Sequence, residues 1–305
     1  MNSGAQQLRD SAVRLSARFA KIRKARPALA ELTMAELSLR TAFFDAHRKG
    51  TDAAAFKIPY GANVALTAYE SVAEPLVEQA IKRATPNLYA AGAALAGERA
   101  ATKHPAPEAL EKAGGEEDDN NEEELAALIA LFLLGVPRQL RRVFMPGLRD
   151  TLAAVPAEER AAVLRREFGR DRAGWHGPAK QLYNGSAAYM ATTARTVSAL
   201  RELQRRNVRK MRWVTAGDDR VCKRCRAMES VDIALDDGAD LVKRMLDAKS
   251  LDDVKRIRPW HGEQKFLRIF KKAGKGNRSK NLATAGVLVP PLHGACRCVL
   301  VPVLN

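Results

Sequence analysis

The chain holds only four cysteines, and they fall in two tight pairs near one end. The first pair is Cys222-Lys-Arg-Cys225, and the second lies within His293-Gly-Ala-Cys296-Arg-Cys298. A C-x2-C turn points two sulfurs at one centre, the short chelate on which many zinc sites are built. His293 and Cys296 repeat the i, i+3 offset, and if 296–298 opens a strand, Cys296 and Cys298 face the same side. Between Cys225 and His293 lie 67 residues. An ion shared by both pairs would clamp remote stretches together, with an apparent binding free energy on the order of 10 kcal/mol at neutral pH.

Five donors (Cys222, Cys225, His293, Cys296 and Cys298) are thus available to a four-coordinate ion. Zinc fits best, because thiolate with imidazole is its usual structural set. Lys223, Arg224, Arg226 and Arg297 flank the sulfurs and would favour thiolates. Disulfides, a redox C-x-x-C and unrelated buried thiols are the competing readings. No export signal precedes the chain's first helix, which disfavours disulfides. A redox motif would sit between strand and helix of a βαβ unit, whereas this one follows Asp218-Asp219-Arg220. Which of His293 and Cys296 completes a set of four stays open.

The rest of the sequence reads as helix. Hydrophobic residues make up 46% of its 305 residues, enough for a core, while aromatics are only 6%. Abundant Ala, Leu and Arg then favour helix over sheet. Leu8, Val13, Leu15, Phe19 and Ile22 recur at helical spacing before Pro27, and a second pattern covers 29–44. Two more helices are expected over 62–83 and 86–99, separated by Pro86. Residues 101–124 contain two prolines, a Gly-Gly pair and the run GEEDDNNEEE, which reads as an acidic, flexible linker. Helices then follow over 125–134, 137–152 and from 156. The expected class is mainly α, with a helical N-terminal region (1–100), the linker (101–124), a helical middle (125–186) and a small α+β, zinc-clamped module (187–305). In that module Trp213–Thr215, Val287–Val289 and Val299–Val303 read as strands, and 241–280 reads as helical at first, ending in KKAGKGNRSK as a flexible basic loop.

Charge is distributed unevenly. Residues 1–159 carry 20 basic and 21 acidic side chains, whereas 160–305 carry 31 and 14, so the whole excess of +16 lies in the second part. A long basic helix is expected over 187–211, with Tyr189, Val197, Leu200, Leu203 and Val208 as its apolar stripe. Arg195, Arg201, Arg205, Arg206, Arg209, Lys210 and Arg212 are the candidates for contact with DNA or an acidic partner. The most apolar window, 125–136, falls short of the roughly 20 residues needed to span a bilayer, so a buried helix and no membrane role are expected. The scattered His47, His104, His176 and His261 lack chelating neighbours, Gly185-Ser186 lacks the hydrolase elbow frame, and no enzyme is expected.

Taken in order, Trp213-x-Thr215, Asp219-Arg220-Val221-Cys222-x-x-Cys225 and Pro291-Leu292-His293-x-x-Cys296-Arg297-Cys298-x-Leu300-x-Pro302 form a signature. It resembles the C-terminal motif of phage head morphogenesis proteins, the minor head proteins typified by phage Mu protein F and the SPP1 gp7 group. Ala194-Arg195-Thr196 is similar to the lead-in helix of that motif, so the likeness spans 189–302. Gly294-Ala295 stand where the family has Pro-Asn, and Val197 where it has an acid. The resemblance implies a minor structural protein of a tailed phage or prophage, located in the virion at the portal vertex. Its implied partners are the portal protein, the major capsid or scaffold protein, and packaged double-stranded DNA. It also implies a metal site at the five Cys and His donors. A zinc-stabilised nucleic-acid-binding protein with no virion role is the alternative.

Overall fold

The computed structural model describes residues 27–57, 62–100, 176–219, 221–293 and 296–303, with short pieces at 124–125, 127–128, 154–156, 158–159 and 162. Helix α1, the first among the described residues, is Pro27–Lys57. Helix α2 runs unbroken over Ala62–Ala100 with Pro75 and Pro86 inside it. This corrects the expectation of two helices. A mid-helix proline costs about 3 kcal/mol, but Val77, Ile81 and Leu88 around the two prolines are fully buried. Burial of such side chains stabilises by about 1.5–3 kcal/mol each and offsets the loss.

The two helices run antiparallel, with Gly50 against Tyr69 and Ala73, and Ala35 and Leu39 sharing a groove with Ala84 and Asn87. Helix α3, His176–Arg205, packs across both. It approaches α2 tightly at Gly92, where a Cβ would lie 2.2 Å from Ser198 Oγ and 2.9 Å from the Arg195 Cα. A buried hydrogen-bond chain also ties the three helices, from His47 Nδ1 to Tyr69 Oη (3.0 Å) and on to Tyr183 Oη (2.9 Å). Burial raises both phenols, Tyr183 to about 12.

Helix α3 ends at Arg205, nine residues before Val214 closes the first strand, and the expected basic helix over 187–211 is corrected here. Asn207 adopts φ 54°, the Asn207 N–H donates to the Gln204 carbonyl, and the Val208 N–H reaches back to the Leu203 carbonyl at 3.0 Å. These bonds, with Leu203 and Val208 both buried, form a Schellman closure. The chain then reverses into β1, Lys210–Val214.

After β1 come α4 (Lys223–Met228), β2 (Asp232–Ala234), α5 (Leu235–Leu246), α6 (Leu251–Ile257), α7 (Glu263–Ala273), α8 (Arg278–Thr284) and β3 (Val299–Pro302). The described residues are therefore mainly helical, with a small antiparallel sheet in the order β2-β1-β3. Met211 pairs with Ile233 on one side, and Val214 with Val299 on the other. Val287–Val289 is buried but is not a strand. Pro290 and Pro291 follow it and have no N–H for a ladder, and buried Arg258 takes up the Val289 and Pro291 carbonyls instead. The KKAGKGNRSK stretch is no loop but the end of α7, a short turn and the start of α8, where Asn277 caps by accepting from the Lys280 N–H.

One apolar core runs from Ala28 of α1 to Leu300 of β3 and includes Leu125 and Leu128 of the expected middle helix. No helix among the described residues is long and apolar enough to cross a membrane. The patterns over 8–22, most of the acidic linker with His104, and most of 129–175 lie outside the described residues.

Candidate metal centre

The two cysteine turns meet because they hang from neighbouring strands. Cys222 follows β1 after a short turn and precedes α4 in extended conformation (φ −71°, ψ 161°), with its carbonyl accepting the Arg226 N–H at 2.9 Å. Cys225 lies in the first turn of α4 with 2% exposure. On the other side, the Cys296 N–H bonds the His293 carbonyl at 3.0 Å, and Cys298 leads directly into β3. Since β1 and β3 pair in register, the donor segments at their adjoining ends face one another across the sheet edge.

All four cysteines are unbridged. Cys225 Sγ lies 3.3 Å from His293 Nε2 and 3.8 Å from Cys296 Sγ. Two sets of donor atoms lie within 4.8 Å of one another, Cys222–Cys225–His293 and Cys225–Cys296–Cys298, and Cys225 belongs to both. A tetrahedral ion with Zn–S near 2.3 Å and Zn–N near 2.05 Å has S···S edges of about 3.8 Å and S···N edges of about 3.6 Å. The observed separations match those edges, so the cluster is able to hold a metal ion. Cys296 and Cys298 are buried, while Cys222 and His293 are half-buried toward the surface.

The thiols share their protons unequally. Hydrogen bonds from Cys225 and Cys298 lower the Cys296 thiol to about 2, and burial opposes this only partly. Cys225 is pushed up, first by its bond to Cys296 and then by that to Cys298. Burial lowers His293, which favours the neutral imidazole that a metal requires. The Cys298 thiol is pushed up to about 12: its bond to Cys225 pulls it down, but the bond to Cys296, burial and the Cys296 charge outweigh that, and the indole of fully buried Trp213 counters them only slightly.

The flanking cations make their direct contacts elsewhere than at the sulfurs, although Arg297 still feels the Cys298 charge. Arg297 makes a two-pronged bond to Asp218, both contacts at 2.7 Å, and so ties one donor segment to the other. Lys223 pairs with Glu263, and Arg224 donates to the His261 carbonyl. The supports that sequence reading missed come from α3. Thr192 Oγ1 donates to the Cys296 carbonyl at 2.9 Å, and the Arg195 guanidinium donates to the Cys298 carbonyl at 2.7 Å. Arg195 and Thr192 lie one helical turn apart, at i, i+3, and that spacing was the legible trace of a shared face.

The seven bases expected to meet a polyanion do not form one surface. Arg195 is turned inward to the metal centre. Arg206 is largely buried and paired with Glu202, and Arg212 is paired with Asp232 at 2.6 and 3.0 Å. Arg201 and Arg205 stay on α3, while Arg209 and Lys210 lie beyond the Asn207 reversal and are exposed. The single helical face assumed for them ends where the helix does. Comparison with known protein families, curated proteins and solved structures finds no match to this chain.

Proposed function

We propose that this chain is a minor structural head protein of a tailed phage or prophage, with a C-terminal module closed by a structural zinc ion. The reading rests on the ordered Trp/Cys/His signature, and one observation carries it: two cysteine turns 67 residues apart converge at tetrahedral-edge distances. Such a site stabilises a small sheet that has little core of its own. In this reading the module is a docking piece at the portal vertex, assembled in the bacterial cytoplasm and retained in the virion. The portal protein is the first partner, with the major capsid or scaffold protein and packaged double-stranded DNA nearby. No catalytic role is assigned.

The test is the composition of purified particles and the pull-down of the portal. Few copies per head and recovery of portal with the tagged chain are the expected results. Absence from particles together with no portal recovery would overturn the reading. The excess of basic residues in 160–305 favours one alternative, a zinc-stabilised nucleic-acid-binding protein acting outside the virion. That alternative predicts DNA binding by a protein missing from heads.

A further inference from the structure

We infer that α7 and the start of α8 form the surface that meets the phosphate backbone of double-stranded DNA. No acidic residue follows Glu263 in the sequence. Lys265, Arg268 and Lys272 stand at i, i+3 and i+7, one exposed stripe of α7. The opposite stripe, Phe266 and Ala273, is buried in the core. Lys271, Lys275 and Lys280 are exposed beside it, and Gly274 and Arg278 bring α8 against the end of α7.

The contrast with the preceding helices is what marks this face. On α5 and α6, Lys243 pairs with Asp247, Lys255 with Asp252 and Arg256 with Asp253. Among the described residues, the exposed bases of 264–284 make no ion pair. Unpaired like charges repel one another in the free protein, and release of condensed counterions repays that cost on a polyanion. From Lys265 to Lys272 the helix rises about 10 Å, a span of about three phosphates along one strand.

The chemistry of the face also selects the partner. A bilayer or a helix-binding groove would take the apolar stripe of α7, but the protein's own core already covers it. Unpaired bases would need an aromatic platform, and α7's surface aromatic, Phe270, is covered by the Arg278 guanidinium 5.1 Å from its ring centre. Of the side-chain amides that could read base edges, Asn277 is engaged as a cap and Asn281 with the Ala273 carbonyl, which leaves Gln264 alone on the exposed face. What remains is sequence-blind contact with duplex phosphates. This deepens the reading above by assigning its DNA-facing surface.

The experiment is fluorescence anisotropy of the full chain on a short duplex of mixed sequence across a salt series. The variant Lys265→Gln/Arg268→Gln/Lys272→Gln changes exposed side chains only and is checked for an unaltered thermal melt. Loss of three contacts should lower the salt slope by about 2.7 and weaken binding at 0.1 M salt roughly several-hundred-fold. A second variant, Arg201→Gln/Arg205→Gln/Arg209→Gln, should keep the parent slope. The inference is overturned by no duplex binding at low salt, by an equal loss in the second variant, or by an unchanged slope in the first. Tighter binding of the unpaired strand, or competition by polyglutamate as strong per charge, also overturns it, the latter in favour of an acidic protein. Free duplex contains no virion component, so failure here leaves portal recovery untouched, and the converse holds.

Discussion

Replacing Cys225 by Ser removes the one donor common to both halves of the metal cluster. Serine keeps the shape of a side chain that is 2% exposed, so packing changes little and the loss reports on coordination. Structural zinc contributes an apparent 10–16 kcal/mol over four ligands, or about 2.5–4 kcal/mol for each. Metal affinity should therefore fall by about two to three orders of magnitude. A loss of about 3 kcal/mol at a fixed metal concentration lowers the melting temperature by roughly 6–12 °C in a chain of this size. Cys222→Ser leaves Cys225, Cys296 and Cys298 grouped and should do less. The assays are metal content by mass spectrometry, competition with a coloured chelator, and thermal melts with and without chelator. The reasoning fails if the parent carries no stoichiometric metal and melts alike in both conditions. Equal losses in Cys222→Ser and Cys225→Ser would remove the special place given to Cys225.

Further perturbations separate packing, positioning and charge. Gly92→Ala, which would ordinarily strengthen a helix by about 0.5–1 kcal/mol, should destabilise by about 1–3 kcal/mol in urea melts, because the new methyl overlaps Ser198 Oγ and the Arg195 Cα. Arg195→Met should weaken metal affinity about 10- to 100-fold in chelator competition yet leave duplex binding unchanged, since its guanidinium holds the Cys298 carbonyl. Asp232→Asn should lower stability at neutral pH by less than about 1 kcal/mol, as suits an exposed pair. Arg212 holds the Asp232 carboxyl below its usual range, so this contribution is present above the ordinary carboxylate pKa. It is lost as pH falls through the lowered value, and parent and variant melts should converge in acid.

The helical class, the small terminal sheet and the cysteine cluster were legible because each rests on a local or chemical signal. Apolar periodicity marks helix, and a Cys/His set in two short turns marks a shared ion. What was not legible depends on tertiary context. Asp232–Ala234 is too short to show alternation, and it is a strand because Met211 and Ile233 meet in the core. Val287–Val289 has strand composition but ends in two prolines, so burial without a ladder was written in the sequence and outweighed by its valines. Pro75 and Pro86 signal breaks, yet the packing of α2 against α1 and α3 carries the helix through. The stop at Asn207 was readable, since asparagine after a basic last turn is a common left-handed cap. Its neglect joined Arg209, Lys210 and Arg212 to a helix they do not belong to. At the centre itself the donors were evident, but Thr192, Trp213 and the Asp218–Arg297 tie were not, because nothing in spacing says which carbonyl a distant side chain will hold.

Helix α3 links these observations. On its face toward α2, Ser198 and the Arg195 backbone lie against Gly92, and Glu202 and Arg206 against Gly97, and such close packing tolerates little displacement. Within the same two turns, Thr192 and Arg195 hold the carbonyls of two donor cysteines. A shift of the donor segment on metal loss therefore pulls on the turns of α3 that cannot move without opening the contact with α2. The core offers no gap at which to uncouple the parts, because the same apolar cluster contains Val77 of α2, Leu200 of α3 and Trp213 of β1. On these grounds the terminal module is not a separable appendage clamped by its own ion. A metal held by the cluster would set the seat of a helix shared with the bundle, because Thr192 and Arg195 of that helix carry the donor carbonyls.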